Sequence, residues 1–253
     1  MIIVKVRELI LGDGIPKVCV PITGKTRREI EEEAVSVKNM EPDLVEWRAD
    51  CYEEGQDSEK CMEVLKVLKG IFDKIPLLFT FRTAGEGGEQ AIDFEDYVNL
   101  LLKTAKGGGA DMIDVEVFFH QEGSRELVEA LQGFGIKVIA SNHHFDKTPS
   151  VEEMVQIMEQ MEDCGADIVK LAVMPKEEED LCALMAASFR MKKKDKTPYI
   201  TMSMGRAGVL SRLCGEITGS AVTFASGIQA SAPGQVPVKR LRDTMEILHK
   251  SFT

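Results

Sequence analysis

The sequence predicts an α/β protein, a single (β/α)8 TIM barrel that spans residues 1–253. Eight strand-like segments alternate with eight helix-like segments, which indicates a parallel sheet with right-handed crossovers. Several of these strand-like segments end in a polar residue, as strands do at the active-site end of a barrel. No GxGxxG motif follows the first of them, and the regular count favours a closed barrel over an open doubly wound sheet.

The first sixteen residues differ from this repeat. The apolar segments Ile2–Val6 and Glu8–Leu11 show no helical period, and Gly12–Gly14 marks a turn before Pro16. Residues 1–16 are therefore predicted to form a short β-hairpin, or two edge strands, ahead of the barrel.

The predicted strands are short runs in which side chains alternate between two faces. In the second strand, Glu46, Arg48 and Asp50 share a charged face and alternate with apolar residues. The predicted strands are Lys17–Ile22, Leu44–Asp50, Leu77–Arg82, Met112–Val117, Lys137–His143, Ile168–Met174, Tyr199–Met204 and Ala221–Ala225.

The predicted helices occupy the segments between these strands and after the last one. Ser150 followed by Glu153 is a capping box, which marks one helix start, and Gly107–Gly109 marks a helix stop. The predicted helices are Thr26–Lys38, Ser58–Phe72, Phe94–Lys106, Ser124–Gly133, Ser150–Cys164, Glu177–Lys193, Val209–Gly215 and Val238–His249.

The amino-acid composition restricts the classes of molecule that the protein is expected to bind. The net charge of −11 argues against binding to nucleic acid or to an anionic membrane, and it means that an anionic substrate needs local arginines. The six cysteines form no CxxC pair and no zinc pattern, so free thiols are expected. No signal sequence or apolar run of membrane-spanning length is visible, which makes the cytoplasm the expected location.

A lysine stands in the middle of the sixth predicted strand. Lys170 shares a face with Ile168 and Ala172 in an otherwise apolar run, so desolvation is expected to disfavour its ammonium form. The free amine attacks ketones and aldehydes and forms a Schiff base. The alternative is a structural ion pair with Asp114 or Glu116, and the strand pattern favours neither reading.

Two histidines end the fifth predicted strand. His143 shares a face with Ser141 and is a candidate proton shuttle, whereas His144 points to the opposite face and is interpreted as structural or loop-exposed. Glu86, in a glycine-rich loop, is a candidate to orient His143. Taken singly, a strand-end histidine is more often structural and a loop glutamate is more often solvated. Neither histidine has metal-ligand spacing, so no metal is expected.

Arginines bind carboxylates in a bidentate manner, and Arg48, Arg82 and Arg212 are candidates for this role. Arg212 follows the glycines of the segment Met202–Arg212, which permit close approach of a ligand. A phosphate-binding loop is the rival interpretation of this glycine pattern.

A further segment, Ala230–Gln235, follows the eighth strand and is here named the lid segment. As a lid it would bring Ser231 and Gln235 onto the ligand. The alternative is an ordinary loop before the last helix.

The residues named above, taken together, resemble type I 3-dehydroquinate dehydratases over nearly the whole chain. Each motif is weak alone, but their order and spacing together are highly specific. The matching segments are Glu46–Asp50, Phe79–Arg82, Glu86–Glu89, Asp114–Glu116, Ser141–His143, Met202–Met204, Ser211–Leu213, Gly215–Glu216 and Ser231–Gln235.

The resemblance implies a barrel whose N-terminal hairpin closes the end opposite the site, a homodimer, and no cofactor or metal. It implies that Lys170 forms an imine with a small carboxylate substrate, 3-dehydroquinate, that His143 is the acid and base, and that Glu86 assists His143. The implied substrate-binding residues are Glu46, Arg48, Arg82, Arg212, Ser231 and Gln235. The implied reaction is a syn elimination of water, the third step of the shikimate pathway.

Three positions depart from the commoner family pattern. Pro21 stands where some members have Ser, and Val169 stands where many have Pro. His144 stands where many have Asp, which alters the electrostatics expected around His143. A Schiff-base aldolase on a similar barrel is the alternative enzyme, and a non-catalytic binding barrel is the alternative outside enzymes.

Overall fold

The computed structural model describes residues 2–120, 122–228 and 231–251. Within these residues, no helix is both long and apolar enough to cross a membrane. The strands are β1 (Val4–Val6), β2 (Leu9–Leu11), β3 (Lys17–Ile22), β4 (Leu44–Arg48), β5 (Leu77–Thr80), β6 (Met112–Glu116), β7 (Lys137–His144), β8 (Ile168–Val173), β9 (Tyr199–Ser203) and β10 (Val222–Phe224).

Helices alternate with the strands from β3 onward, as predicted. The helices are α1 (Arg27–Lys38), α2 (Ser58–Phe72), α3 (Phe94–Gly107), α4 (Ser124–Gly133), α5 (Val151–Asp163), α6 (Glu178–Lys194), α7 (Val209–Leu213), α8 (Gly215–Thr218) and α9 (Val238–Lys250). The predicted capping box is confirmed at α5, where the Ser150 side chain accepts from the Glu153 amide and Glu153 accepts from the Ser150 amide.

Strands β3 to β10 form one parallel sheet in the spatial order β10-β3-β4-β5-β6-β7-β8-β9. The two ends of this sheet meet, because the Ala221 amide donates to the Tyr199 carbonyl at 2.7 Å and Tyr199 bridges Ser220. The eight strands therefore form a nearly closed barrel, and the predicted (β/α)8 fold is confirmed.

The N-terminal hairpin closes the bottom of this barrel. β1 and β2 pair antiparallel, with Val4 opposite Leu11. Val4, Val6 and Leu11 pack into the same apolar cluster as inward-facing residues such as Leu44 and Ile168, which lie near the amino ends of their strands. The opposite end of the barrel, where the strands terminate, is thereby left for other side chains.

Two strands end two residues earlier than predicted, at the end where the functional residues lie. β4 ends at Arg48 instead of Asp50, because the chain turns into a short 3-10 helix over Ala49–Cys51. β5 ends at Thr80 instead of Arg82, because the Arg82 amide leaves the sheet ladder and donates to the Asp50 carboxylate at 3.1 Å.

The short helix predicted over Val209–Gly215 is present as α7, which ends two residues earlier, and a second short helix that was not predicted, α8, follows it. Cys214 separates them: its amide donates to the Leu210 carbonyl, and its own carbonyl accepts from the Ile217 and Thr218 amides. One residue thus ends the first helix and begins the second, which reorients the chain toward β10.

Candidate active site

All nine residues selected from the sequence line a single cavity at the carboxyl ends of the strands. These residues are Glu46, Arg48, Arg82, Glu86, His143, Lys170, Arg212, Ser231 and Gln235. They come from strands β4, β7 and β8 and from the segments that follow β5, β9 and β10. The parallel arrangement explains the convergence, because it directs the end of every barrel strand to the same face.

Lys170 projects from β8 into the barrel with its side chain only 5% exposed. Its Nζ lies 3.3 Å from Asp114 Oδ2 and 3.6 Å from Glu46 Oε1. The predicted burial is confirmed, and so is the ion pair with Asp114. Glu116, the other partner considered, does not pair with Lys170 but binds Arg82 at 2.9 Å. An ion pair does not exclude covalent chemistry, because the ammonium remains at the cavity wall.

Arg82 connects Asp114 and Glu116 on β6. Its Nη2 donates to Asp114 at 2.8 Å, and its Nη1 donates to Glu116 at 2.9 Å and to the Ser141 hydroxyl at 3.0 Å. Burial opposes the charge on Asp114, but the cations of Arg82 and Lys170 more than offset it and lower the pKa of that carboxyl below its ordinary value. The ionised form of Asp114 is therefore favoured beside Lys170.

His143 and Glu86 form a hydrogen-bonded pair across two elements. His143 Nδ1 lies 2.9 Å from Glu86 Oε2, while Asn142 donates to Glu86 Oε1 at 2.8 Å through its side-chain Nδ2. Glu86 stands in a short 3-10 helix, Ala84–Glu86, after β5. The predicted contact between Glu86 and His143 is therefore present in the structure, and it fixes the ring orientation of His143.

The electrostatic environment keeps His143 uncharged. Burial, followed by the cations of Arg82 and Lys170, lowers the pKa of His143 well below its ordinary value. Burial also raises the pKa of Glu86 to about 8, although Arg82 opposes this shift. His144, which faces away from the cavity, lowers the pKa of His143 only slightly by comparison. A neutral imidazole is the form that accepts a proton.

Arg212 in α7 is a buried guanidinium that, within the described residues, has no carboxylate bonded to it. Its Nη2 donates to the Pro233 carbonyl at 3.1 Å and its Nη1 to the Phe224 carbonyl at 3.4 Å, whereas its buried Nε has no hydrogen-bond partner there. Burial lowers the pKa of Arg212 to about 10. A buried cation with a vacant donor is suited to an anionic ligand.

Part of the lid segment packs over Arg212. The Pro233 carbonyl accepts hydrogen bonds from both Arg212 and the Gly205 amide. Ser231 and Gln235 bond to each other: the Ser231 amide donates to Gln235 Oε1 at 2.8 Å, and Gln235 Nε2 donates to the Ser231 hydroxyl at 3.0 Å. Ala230, the first residue of the predicted segment, lies outside the described residues.

Apolar side chains that received no role from the sequence complete the wall. The Phe224 ring centroid lies 4.7 Å from Lys170 Nζ, a distance typical of a cation–π contact. The Phe145 ring lies beside the His143 ring, with 6.5 Å between centroids and 22° between the ring planes. Phe224 lies on the same strand face as Val222, so the alternation within β10 was the available signal. Phe145 follows β7 in a loop, where no periodicity predicts its direction.

The comparisons with known proteins agree with this geometry. The chain matches the model of type I 3-dehydroquinase over residues 18–252. It is 44% identical over 249 residues to the 3-dehydroquinate dehydratase of Listeria welshimeri, a match that covers 98% of this chain and 99% of that protein. The chain belongs to the type I 3-dehydroquinase family.

Solved structures of family members superpose closely on the barrel. The type I 3-dehydroquinate dehydratase of Clostridium difficile, determined with covalently modified comenic acid, matches with a TM-score of 0.95 and 44% identity and covers 98% of each chain. The 3-dehydroquinate dehydratase of Geobacillus kaustophilus also matches with a TM-score of 0.95, at 36% identity, over 98% of this chain and 96% of that one.

Three protein side chains of different chemistry meet in this site. Within residues 2–120, 122–228 and 231–251, no group of three His, Cys, Asp or Glu side chains is arranged to hold a metal ion. The cavity instead brings together a buried amine, a neutral imidazole and a buried guanidinium. In a type I 3-dehydroquinase these three groups suit a substrate that carries both a carbonyl and a carboxylate.

Proposed function

We propose that this protein dehydrates 3-dehydroquinate to 3-dehydroshikimate, the third step of the shikimate pathway, through a Schiff base on Lys170. The observation that carries the proposal is the position of Lys170, which is buried at the wall of the same cavity that holds His143 and Arg212. An amine, an acid–base group and a carboxylate site are the three elements that this reaction requires.

The covalent step begins at the ketone. The Lys170 amine attacks the C3 carbonyl carbon, and loss of water yields a protonated imine. The ammonium form of Lys170 must first give up a proton, and Glu46, 3.6 Å from Nζ, lies close enough to receive it or to pass it to water. The positive imine withdraws electrons from the neighbouring carbon and thereby acidifies the C2 proton.

His143 then transfers the proton in both directions. The neutral imidazole removes the C2 proton, giving an enamine, and the resulting imidazolium protonates the C1 hydroxyl as it leaves as water. Loss of proton and hydroxyl from one face corresponds to syn elimination, which suits a single residue acting on that face. Water hydrolyses the remaining imine, releases 3-dehydroshikimate and restores Lys170. Glu86 holds the His143 ring through the 2.9 Å contact.

The remaining residues bind the substrate. Arg212, together with Ser231 and Gln235 of the lid segment, holds the carboxylate, because its buried Nε has no bonding partner within the described residues. Glu46, Arg48 and Arg82 bind the hydroxyls and order the site. We further propose that the protein acts as a homodimer in the cytoplasm and uses no cofactor or metal.

A turnover assay tests this function. Purified protein is given 3-dehydroquinate, and the conjugated enone of the product is followed by its ultraviolet absorbance. We expect saturable turnover by the wild-type protein and none by Lys170→Ala. Sugar phosphates serve as the control substrates, because a Schiff-base aldolase would cleave them. Cleavage of a sugar phosphate without dehydration of 3-dehydroquinate would contradict the proposal.

A further inference from the structure

Asp50 is a fully buried carboxylate behind the cavity, immediately after β4. Each of its oxygens accepts two hydrogen bonds from nitrogen donors. Oδ1 accepts from Arg48 Nε at 2.7 Å and from the Arg82 amide at 3.1 Å, while Oδ2 accepts from Arg48 Nη2 at 2.7 Å and from the Glu89 amide at 3.2 Å. One carboxylate therefore fixes a side chain of β4 and both ends of the loop that follows β5.

The loop in question, residues 82–89, carries Glu86 and includes a glycine that lets it approach Asp50. A Cβ atom at Gly88 would lie 1.9 Å from the Arg82 carbonyl oxygen and 3.0 Å from Asp50 Oδ2, closer than packed atoms tolerate. The backbone of Asp50 reinforces the contact, because Gln90 Nε2 donates to its carbonyl at 2.9 Å. The loop is thus attached to Asp50 through both main-chain and side-chain atoms.

The bidentate pair with Arg48 has a directional consequence. Asp50 occupies Nε and Nη2 of the guanidinium and leaves Nη1 for other contacts, while Arg48 itself lines the cavity. A planar guanidinium held by two parallel bonds has a fixed orientation. Burial opposes the positive charge of Arg48, but the hydrogen bonds that Arg48 donates to Asp50 raise the pKa of Arg48 above its ordinary value. Arg48 therefore stays both charged and oriented.

We propose that Asp50 is a positioning residue that sets Arg48 and the loop bearing Glu86 in a single geometry for the reaction. The inference rests on the proposed function, because Arg48 and Glu86 take their roles from it. Asp50 acts only through these two neighbours. Its loss should weaken substrate binding through Arg48 and disturb proton transfer through Glu86 and His143.

Asp50→Asn is the direct test, because it keeps the shape and removes the charge. An amide cannot accept at both positions, so one pair of bonds is lost. We expect kcat/KM to fall roughly ten- to hundredfold, the range of a lost charge-assisted hydrogen bond. KM should rise through Arg48, and the acid limb of the kcat/KM profile should shift through the Glu86–His143 pair. A purely structural role would lower stability without this change in the pH profile.

A matched control comes from the opposite end of the barrel. Asp111 also accepts from an arginine, Arg7 Nε at 2.7 Å, and from a backbone amide, that of Leu77 at 2.9 Å. Asp111→Asn therefore removes the same kinds of bond far from the cavity. We expect it to lower thermal stability and leave KM, kcat and the pH profile unchanged.

A double-mutant cycle identifies the neighbour through which Asp50 acts. The KM effect of Asp50→Asn should largely vanish in an Arg48→Ala background, but it should persist in an Arg212→Ala background, since Arg212 makes no bond to Asp50 in the described structure. Full additivity with Arg48→Ala would overturn the proposal.

Two measurements keep the proposal testable if Asp50→Asn does not fold or if the proposed reaction fails. Arg48→Lys keeps the positive charge but lacks the planar guanidinium that bonds Asp50 at two atoms, so its KM should match that of Arg48→Ala. A KM equal to that of the wild type would overturn the inference.

Wild-type turnover alone tests the proposed function. A crystal structure of ligand-free Asp50→Asn tests the positioning role without activity: we expect a displaced Arg48 guanidinium or loop, and an unchanged geometry at both would overturn it.

Discussion

The two ends of the barrel use the same hydrogen-bond pattern for different purposes. At the bottom, Asp111 and Asp167 each pair with a cation and accept a hydrogen bond from a backbone amide at the start of a strand, that of Leu77 and that of Val138 respectively. At the top, Asp50 likewise accepts from a guanidinium and from backbone amides. The bottom aspartates are partly exposed, however, whereas Asp50 is fully buried.

The two ends also differ in where the cationic side chains lie relative to the cavity. At the bottom, Arg7 joins the N-terminal hairpin to the barrel and Lys137 joins neighbouring strands, and neither lines the cavity. At the top, Arg48, Arg82 and Lys170 line a cavity. One end of the barrel therefore serves stability and the other binding and chemistry, which is the division expected of a (β/α)8 barrel. Substitutions at the two ends should accordingly affect different measurements.

The largest effect is expected at Lys170. Lys170→Ala removes the amine and should reduce kcat by more than about 10⁴-fold, the scale seen when a covalent nucleophile is removed. Unfolding should change little, because Asp114 retains its bonds from Arg82 and Ser141. Turnover and thermal melting of the same preparation check both statements. Near-normal turnover by this variant would refute the role of Lys170.

A smaller kinetic effect is expected at Arg212. Arg212→Ala removes the buried cation proposed to hold the carboxylate, so KM should rise roughly ten- to hundredfold with a smaller change in kcat. Steady-state kinetics with 3-dehydroquinate provide the measurement. An unchanged KM would count against the carboxylate role and would place ligand charge elsewhere in the cavity.

Glu86 provides a comparison based on pH. Its pKa is raised by burial from an ordinary 4.5 to about 8, so its folded-state stability contribution is fully present below pH 4.5 and is lost as pH rises toward 8. Glu86→Gln does not titrate. The free energy of unfolding of this variant minus that of the wild type should therefore rise by about 1–3 kcal/mol from pH 5 to pH 8.5. Denaturant unfolding at both pH values measures the difference, and a constant difference would contradict the raised pKa.

The smallest effect is expected at the bottom of the barrel. Arg7→Ala removes the bonds to Asp111 and to the Asp73 carbonyl, and it should lower the free energy of unfolding by about 1 kcal/mol. The variant should retain wild-type kcat and KM, because neither partner lines the cavity. A kinetic defect here would remove the functional distinction between the two ends.

Local sequence patterns predicted the fold and the cavity residues, and the limits of those patterns explain the omissions. Strand alternation predicted which residues share a face with Lys170, His143 and Glu46, because successive side chains of a strand point to opposite faces. It gave no role to Asp50, whose function depends on a loop that begins thirty-two positions later. Nor did it show that β4 stops at Arg48, since a turn caused by tertiary bonds leaves no periodic signal.

The choice between a covalent and a structural lysine was also undecidable from the strand alone. The partners of Lys170 come from β6 and β4, and only the folded barrel brings Asp114 and Glu46 to it. The resemblance to a family supplied the roles of the nine cavity residues, whereas the structure supplied their positions. The cavity in turn revealed Phe224, whose ring faces the amine.

Trapping of the imine tests the central claim most directly. The protein is incubated with 3-dehydroquinate and borohydride, digested, and analysed by mass spectrometry. A reduced adduct on the peptide containing Lys170, formed only with substrate and absent in Lys170→Ala, is the predicted result. Turnover by the wild-type protein with no adduct on Lys170 would contradict the covalent mechanism.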